Sequence, residues 1–452
     1  FTAYNSDSNR GIHYFHDLFP NPVHSIVYNT INSGTQYGYL SSQPGVSFRD
    51  TNDWYHIVLE YDSTNSVESE RNKIYINGVL VPQQFNSALP INTQSWFSST
   101  NPHYYAREIT NNAYGAFYMS EVNFIDGEAL TANDFGEFNE YGKWIPKSYN
   151  GTYGTNGYHL TFSNSSNLGQ DFSGNENDWT VNSAPVQTID TPMNNFAVLN
   201  PLWNPLLYST FSLSEGNYRI NGGAYYLSTQ CFSSLNKYYF EVQVDSVGGV
   251  TSTAIGIATD EWSNTYGHLQ RIAYLNNGQI FNDTIAQNYG SSWTAGDIIG
   301  VEVDALNRKI KFFKNNVSQG ELNWDIPNNG DVFISIVTSN SNDKVKLITS
   351  SFNYPRSSEY KSLSSANLPA PTVIPSEGFD VLLYTGTGAA RSVSGLSFSP
   401  DLVWIKNRNQ TDDNKLFDIV RGSTKYLESN TSESQKTDTK TLTSFISDGF
   451  NL

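Results

Sequence analysis

Three histidines near the start of the chain are spaced as metal ligands sometimes are. His13 and His16 could lie on one face, and His24 follows nearby. No cysteine or carboxylate close to them completes the four-ligand set that zinc prefers. We therefore expect surface or half-buried histidines here, and no metal site.

A short acidic loop gathers the oxygen atoms that calcium prefers. Asp171, Glu176 and Asp178 stand close together in sequence, with Asn175 and Asn177 between them. The run lacks the alternate-position spacing and the final glutamate of an EF-hand loop. Because Asp, Asn and Gly also form tight turns, we expect a structural turn and not a calcium site.

The residue patterns of common catalytic sites are missing from the sequence. It contains no Gly-x-Ser-x-Gly elbow, no His-Glu-x-x-His pair and no phosphate-binding loop. Cys231 is the single cysteine, lacks a protease-like context, and is expected to be a small buried apolar residue. The 43 acidic residues are expected to be dispersed surface charge. We predict no catalytic residue, no cofactor and no enzymatic activity.

Several aromatic side chains could stack on sugar rings. We consider Trp54, Tyr75, Trp262, Trp293 and Trp404. Inward-facing aromatics are the usual core of β-sandwiches, so most of these should be buried. Trp262 lies in a predicted loop and is the strongest candidate for a ligand contact, but the ligand-binding residues remain unknown.

The composition predicts a multi-domain β protein. The 452 residues exceed what one core accommodates, and the 29 Tyr, 26 Phe and 9 Trp favour strands. A net charge of −17 argues against nucleic-acid binding. The sequence has neither a long apolar run nor a signal peptide, so we expect no membrane insertion. The first and last residues look like cut points, and we expect a fragment of a longer protein.

Alternating apolar and polar residues and turn signals divide the chain into an all-β series of tandem jelly-roll β-sandwich domains. The clearest hairpin is predicted at Lys73–Val81, around Asn77-Gly78. Single strands are predicted at Ala116–Ile125 and Val381–Tyr384, among others. The predicted segments are a first β-sandwich at 1–185, a linker at 186–207, a second β-sandwich at 208–356, a Pro-rich linker at 357–377, and a third, incomplete β domain at 378–452.

Two stretches resemble known domain families. Trp54-Tyr55-His56 followed by Lys73–Gly78 resembles laminin-G-like, concanavalin-type domains, with a truncated N-terminus. Such domains sometimes bind calcium or glycans at rim loops, and Asp62, Asp126 and Glu128 are the acids nearest the matching hairpins. None of the three is predicted as a ligand.

The second resemblance is to SPRY domains. Its motifs occur in order at Tyr239–Val242, Ile255–Ala258, Gly296–Val301 and Ile310–Asn315. Asn315-Asn316 replaces the usual Asn-Gly of the last hairpin, and asparagine tolerates the left-handed conformation that this turn requires. The resemblance implies a binding module that recognises its partners through variable loops.

The order of these domains, followed by Phe398–Arg408, is similar to large virion proteins of marine tailed bacteriophages. This resemblance implies a virion surface protein, assembled in the host cytoplasm and located on the tail or capsid. We expect a tail fibre or receptor-binding appendage that attaches to a host-surface glycan or receptor. Its other partners would be virion subunits, including copies of itself. The alternatives are a capsid decoration or head-fibre protein and, less favoured, a polysaccharide depolymerase.

Overall fold

The computed structural model describes residues 2–6, 9–16, 25–32, 35–42, 53–81, 83–85, 89–94, 97, 101–108, 113–114, 117–182, 185–203, 212–263, 268–282, 285–324 and 331–452. The chain is all-β, as predicted. Its helical turns in these ranges are three-residue 3-10 turns at Glu68–Glu70, Ala132–Asp134, Ser365–Asn367 and Pro375–Glu377. No helix in the described ranges is long and apolar enough to cross a bilayer.

The chain divides into two compact units. The first comprises residues 1–137 and 145–369, and the second comprises residues 138–144 and 370–452.

The strands before residue 200 belong to several small sheets and one larger sheet. They are β1 (Thr2–Ser6), β2 (Asn9–His16), β3 (Ser25–Asn32), β4 (Thr35–Ser42), β5 (Ile57–Tyr61), β6 (Asn72–Ile76), β7 (Val79–Leu80), β8 (Gln83–Phe85), β9 (His103–Tyr104), β10 (Arg107–Glu108), β11 (Ala113–Tyr114), β12 (Val122–Phe124), β13 (Gly136–Phe138), β14 (Trp144–Pro146) and β15 (Tyr158–Leu160). The larger sheet has the order β8-β4-β3-β2-β1-β9.

The predicted Asn77-Gly78 hairpin is confirmed. It joins β6 to β7, and both turn residues have positive φ, 47° at Asn77 and 78° at Gly78, as a type I′ turn requires. The strand predicted at Ala116–Ile125 is wrong in length, because only Val122–Phe124 pairs, with β15. Residues 117–121 pair with no strand in the described ranges, and residues 115–116 lie outside those ranges.

Residues 212–362 form a two-sheet sandwich. Its strands are β16 (Ser212–Ser214), β17 (Arg219–Asn221), β18 (Ala224–Cys231), β19 (Lys237–Ser246), β20 (Thr253–Ser263), β21 (His268–Leu275), β22 (Gln279–Asn282), β23 (Ile285–Asn288), β24 (Ile298–Asp304), β25 (Lys309–Lys314), β26 (Val317–Asn323), β27 (Val332–Thr338), β28 (Lys344–Ile348) and β29 (Tyr360–Ser362). One sheet has the order β16-β17-β28-β19-β24-β25-β26, with β29 beside β19, and the other has the order β18-β27-β20-β21-β22-β23.

The core of the sandwich follows the two-residue period of its strands. Phe240 and Val242 of β19 point inward and belong to the same buried cluster as Ile255 and Ile257 of β20. All four side chains are 0% exposed. The Asn315-Asn316 turn forms as predicted, with φ values of 47° and 68°.

Both segments predicted as linkers contribute residues to this sandwich. Ala197 and Leu199, from the segment 186–207, are completely buried in its core. Tyr360–Ser362, from the segment 357–377, pairs in parallel with Lys237–Tyr239. These contacts join residues far apart in sequence, so local composition could not reveal them.

The unit that contains residues 370–452 has two small sheets. Its strands are β30 (Ser392–Ser394), β31 (Leu402–Ile405), β32 (Lys415–Asp418), β33 (Lys425–Glu428), β34 (Lys436–Thr437), β35 (Ser444–Ile446) and β36 (Gly449–Asn451). The sheet orders are β31-β32-β33-β34 and β30-β36-β35. The strand predicted at Val381–Tyr384 is wrong, because this segment pairs with no strand among the residues that the structure describes. Its alternation is real, since Leu382 and Tyr384 pack on the core whereas Val381 and Leu383 are exposed.

Candidate binding surfaces

The three histidines considered as metal ligands have no described side chains. Among the side chains that the structure describes, no group of three or more His, Cys, Asp or Glu could hold a metal ion. His13 and His16 lie in β2, but their side chains are outside the described set, and so is all of His24.

The acidic loop at residues 171–178 is a turn braced by the Asp171 carboxylate. One oxygen of Asp171 accepts hydrogen bonds from the amides of His159 and Ser173, both at 2.8 Å. The other oxygen accepts from the Ser173 hydroxyl at 2.8 Å and the Asn177 amide at 3.0 Å. Burial acts to raise the pKa of Asp171, but these hydrogen bonds outweigh it and hold the pKa below its ordinary value. The Asp171 carboxylate therefore stabilises the turn through these four hydrogen bonds.

The other acids considered also form local structure. Asp62 accepts hydrogen bonds from the amide and hydroxyl of Thr64, at 3.0 and 2.6 Å. Asp126 accepts from the amide and side chain of Asn156, at 3.2 and 2.7 Å. Glu128 is exposed. These bonds are typical of turn-forming side chains.

Cys231 is half-buried, whereas the sequence predicted a buried residue. Burial, together with the negative charge of Asp331, raises the pKa of its thiol. A raised pKa keeps the thiol protonated and unreactive at neutral pH.

The five aromatic candidates differ sharply in exposure. Trp293 is 2% exposed and belongs to the sandwich core, and Trp54 packs edge-on against Tyr118. Tyr75 donates a hydrogen bond to Glu60, and burial together with this bond raises its pKa to about 12. Trp262 lies in strand β20 and not in a loop, and its side chain is outside the described set. Trp404 is 64% exposed, the most exposed of the four candidates whose side chains the structure describes.

One end of the sandwich carries loops that are fixed to a single buried carboxylate. The side chain of Asp343 accepts hydrogen bonds from the amide of Gly248 at 2.6 Å and from the Ser252 hydroxyl at 2.8 Å. Its second oxygen accepts from the amides of Ser339 and Asn340, at 3.1 and 3.0 Å. Asp343 itself is 0% exposed. We call residues 247–252, 276–278 and 339–343 the Asp343 rim.

The Asn276 side chain connects the loop at 276–278 to the loop at 247–252 of the same rim. The Asn276 side chain donates a hydrogen bond to the carbonyl of Gly249 at 2.6 Å and accepts one from the Thr253 amide at 3.3 Å. Val250, at the tip of the 247–252 loop, is 79% exposed. The rim therefore presents an apolar side chain on a backbone that its hydrogen bonds hold in place.

Sequence reasoning missed the Asp343 rim, although a signal for it exists. Ser339–Asp343 is an uninterrupted run of turn-forming residues directly after β27. Such a run predicts an Asx-type turn. It does not reveal that the last carboxylate also binds a loop more than ninety residues earlier in the sequence.

The outer face of the larger sandwich sheet is occupied by the chain itself. Glu241 is 0% exposed and accepts hydrogen bonds from the Tyr239 hydroxyl and from the amides of Asn353 and Tyr354. The Arg356 guanidinium lies 4.6 Å above the Tyr239 ring. This part of the sheet face is therefore covered by the chain itself and is not open to a partner.

A different kind of surface lies on the four-stranded sheet of residues 402–437. Trp404 of β31 is directly opposite Leu416 of β32, which is directly opposite Leu427 of β33. Directly opposed side chains share a face, so these three lie on one side of the sheet together with Leu402, which is directly opposite Asp418. We call these four residues the Trp404 face. Val403 and Phe417 are on the other side of the sheet, in the core.

Comparison with protein families matches two parts of the chain. The SPRY domain family matches residues 237–351, and a domain of unknown function, DUF7483, matches residues 374–452. Two human crystal structures are similar to part of this chain. A human SPRY domain has 18% identity, covering 31% of this chain and 95% of that chain, with a TM-score of 0.27. The SPRY domain of human HERC1 has 19% identity, covering 32% and 96%, with the same TM-score of 0.27.

The SPRY family match covers residues 237–351 of the sandwich. The matched range begins at the first residue of β19 and ends three residues after β28, so it includes most of the strands of both sandwich sheets. It also includes all three loops of the Asp343 rim. Residues 237–351 of this chain therefore form an SPRY domain.

Proposed function

We propose that this chain is part of a bacteriophage virion surface protein, a tail fibre or receptor-binding appendage, that attaches the particle to its host. The single observation that carries the proposal is the Asp343 rim. Three loops at one end of the SPRY domain are fixed by buried polar side chains while Val250 at the tip remains exposed. Preorganised loops with an exposed apolar tip reduce the entropy lost on binding.

The virion context is supported by the order of the sequence motifs. The order of the laminin-G-like stretch, the SPRY domain and the Phe398–Arg408 stretch is similar to that of large virion proteins of marine tailed phages. The net charge of −17 favours a protein or glycan receptor over a polyanion. Several copies on one virion would turn weak individual contacts into firm attachment.

The proposal is tested by binding the fluorescently labelled chain to cells of candidate marine bacterial hosts. The comparison cells are phage-resistant mutants that lack surface polysaccharide or an outer-membrane receptor. We expect saturable binding that is lost in one class of mutant. Absence of binding by correctly folded protein would exclude attachment and favour the capsid decoration role.

A further inference from the structure

The sandwich sheet with the order β18-β27-β20-β21-β22-β23 carries small residues at the centre of its outer face. Gly256 of β20 is directly opposite Ser335 of β27, and Ala258 of β20 is directly opposite Arg271 of β21. The residues that alternate with them point into the sandwich core. The Arg271 guanidinium lies 5.7 Å from the centre of the Tyr225 ring, although β27 and β20 separate the two strands. The two long side chains therefore extend toward each other across the small residues.

Three polar groups meet at this place without a hydrogen-bond partner. The hydroxyls of Tyr225 and Ser335 and the Nε of Arg271 are buried and form no hydrogen bond with any residue that the structure describes. Tyr225 is 2% exposed and Ser335 is 1% exposed. Burial raises the pKa of Tyr225, and the Arg271 charge and the nearby Ser335 hydroxyl act in the opposite direction. Because buried polar groups in proteins are normally hydrogen-bonded, three unpaired groups side by side indicate a missing partner. We call these three residues the Arg271 cluster.

The charge of Arg271 is not neutralised by the described part of the chain. No carboxylate there forms an ion pair with it, whereas Arg219 and Arg356 of the same sandwich each pair with a carboxylate. The Arg271 guanidinium lies instead 4.6 Å from the centre of the Phe281 ring. Aromatic rings hold a guanidinium in place without occupying its N–H donors in the ring plane. In a chain with a net charge of −17, this half-buried arginine is available to an anion from outside the chain.

We propose that the Arg271 cluster binds a carboxylate group. The Nε and one Nη of a guanidinium form a fork that matches the two oxygens of a carboxylate. The Tyr225 and Ser335 hydroxyls can donate to the same oxygens, which gives each unpaired group a partner. One arginine balances the single charge of a carboxylate, whereas a phosphate carries more charge and more acceptor oxygens than these groups can satisfy. The cluster shares no residue with the Asp343 rim, so this inference is independent of the attachment proposal.

The first test is the thermal unfolding of the complete chain in sodium acetate and in sodium glucuronate, at constant ionic strength. We expect both salts to raise the melting temperature of the sandwich in a saturable way, while glucose and sodium chloride do not. A lower dissociation constant for glucuronate would assign the site to acidic sugars, and equal constants would assign it to small free acids. Absence of a saturable rise with both carboxylates would overturn the proposal.

The second test uses variants of the cluster. Arg271→Gln should raise the dissociation constant for acetate and glucuronate at least about tenfold, and so should Arg271→Lys, which keeps the charge but lacks the fork. Ser335→Ala should also weaken binding without lowering stability in the absence of ligand, because the hydroxyl that it removes has no partner there.

The matched control is Arg308→Gln. The Arg308 guanidinium also lies over an aromatic ring, 5.9 Å from the centre of the Trp324 ring, and its loss should leave carboxylate binding unchanged. Ser335→Ala keeps the test decisive if the Arg271 variants fold poorly. Native affinity in folded Arg271→Gln would overturn the proposal, as would a Ser335→Ala protein that is less stable but binds carboxylates as the native chain does.

Discussion

Replacing Asp343 by asparagine should loosen the rim without altering its surface. An asparagine retains one of the two oxygen acceptors and turns the other into a donor facing N–H or O–H groups. Two of the four hydrogen bonds to Asp343 are then lost. Hydrogen bonds to a charged group contribute about 1.5–3 kcal/mol each, so the free energy of unfolding of the SPRY domain should fall by about 3–6 kcal/mol.

The Asp343→Asn variant should lose hydrogen-exchange protection in the rim as well as overall stability. In the native protein the amides of Gly248, Ser339 and Asn340 are bound to Asp343, so hydrogen exchange of peptides covering 247–253 and 339–343 should accelerate in the variant. Urea unfolding gives the total change. The matched control is Ser246→Ala, which removes one exposed hydrogen bond to the Asn342 carbonyl in the same region and should cost about 1 kcal/mol or less. Unchanged exchange at these amides in Asp343→Asn would refute the assigned role of the carboxylate.

Three further substitutions, one of them with a matched control, and a calcium titration test other features of the fold. Gly256→Ala should destabilise the SPRY domain by about 3 kcal/mol or more in urea unfolding, because its Cβ would lie 1.9 Å from the Ile272 carbonyl oxygen; Gly386→Ala, which meets no atom within 4 Å, should be nearly neutral. Thr424→Gly should raise stability by about 0.5–1 kcal/mol, since Thr424 has a φ of 69°, which strains a β-branched residue. Millimolar calcium should leave the melting temperature unchanged. The lowered pKa of Asp171 stabilises the fold fully above about pH 4, so the deficit of Asp171→Asn seen at pH 7 should disappear as the pH falls through that lowered pKa.

Features set by neighbouring residues could be predicted from the sequence. The turns at Asn77-Gly78 and Asn315-Asn316 depend on residues that tolerate positive φ, and both formed as expected. The strands of the SPRY domain follow their apolar alternation. The all-β class follows from the same local signals.

Features set by distant partners could not be predicted. Val381–Tyr384 has the alternation of a strand but no strand to pair with, and Trp262 lies in a strand that continues past its apolar run. Leu199 is buried by a sandwich whose strands follow it in sequence. The role of Asp343 depends on loops that meet only in the folded domain. The laminin-G-like domain at 1–185 and the virion context remain predictions.

The most direct test of the attachment proposal is a saturation-binding curve on host cells for the complete chain and two matched variants. Val250→Asp changes the tip of the Asp343 rim. Leu306→Asp changes a similarly exposed residue, at 58%, in the turn at the opposite end of the same sheet. We predict that Val250→Asp lowers the affinity at least about tenfold, about 1.4 kcal/mol, while Leu306→Asp binds as the native chain does. Equal binding by all three proteins would contradict attachment through the rim.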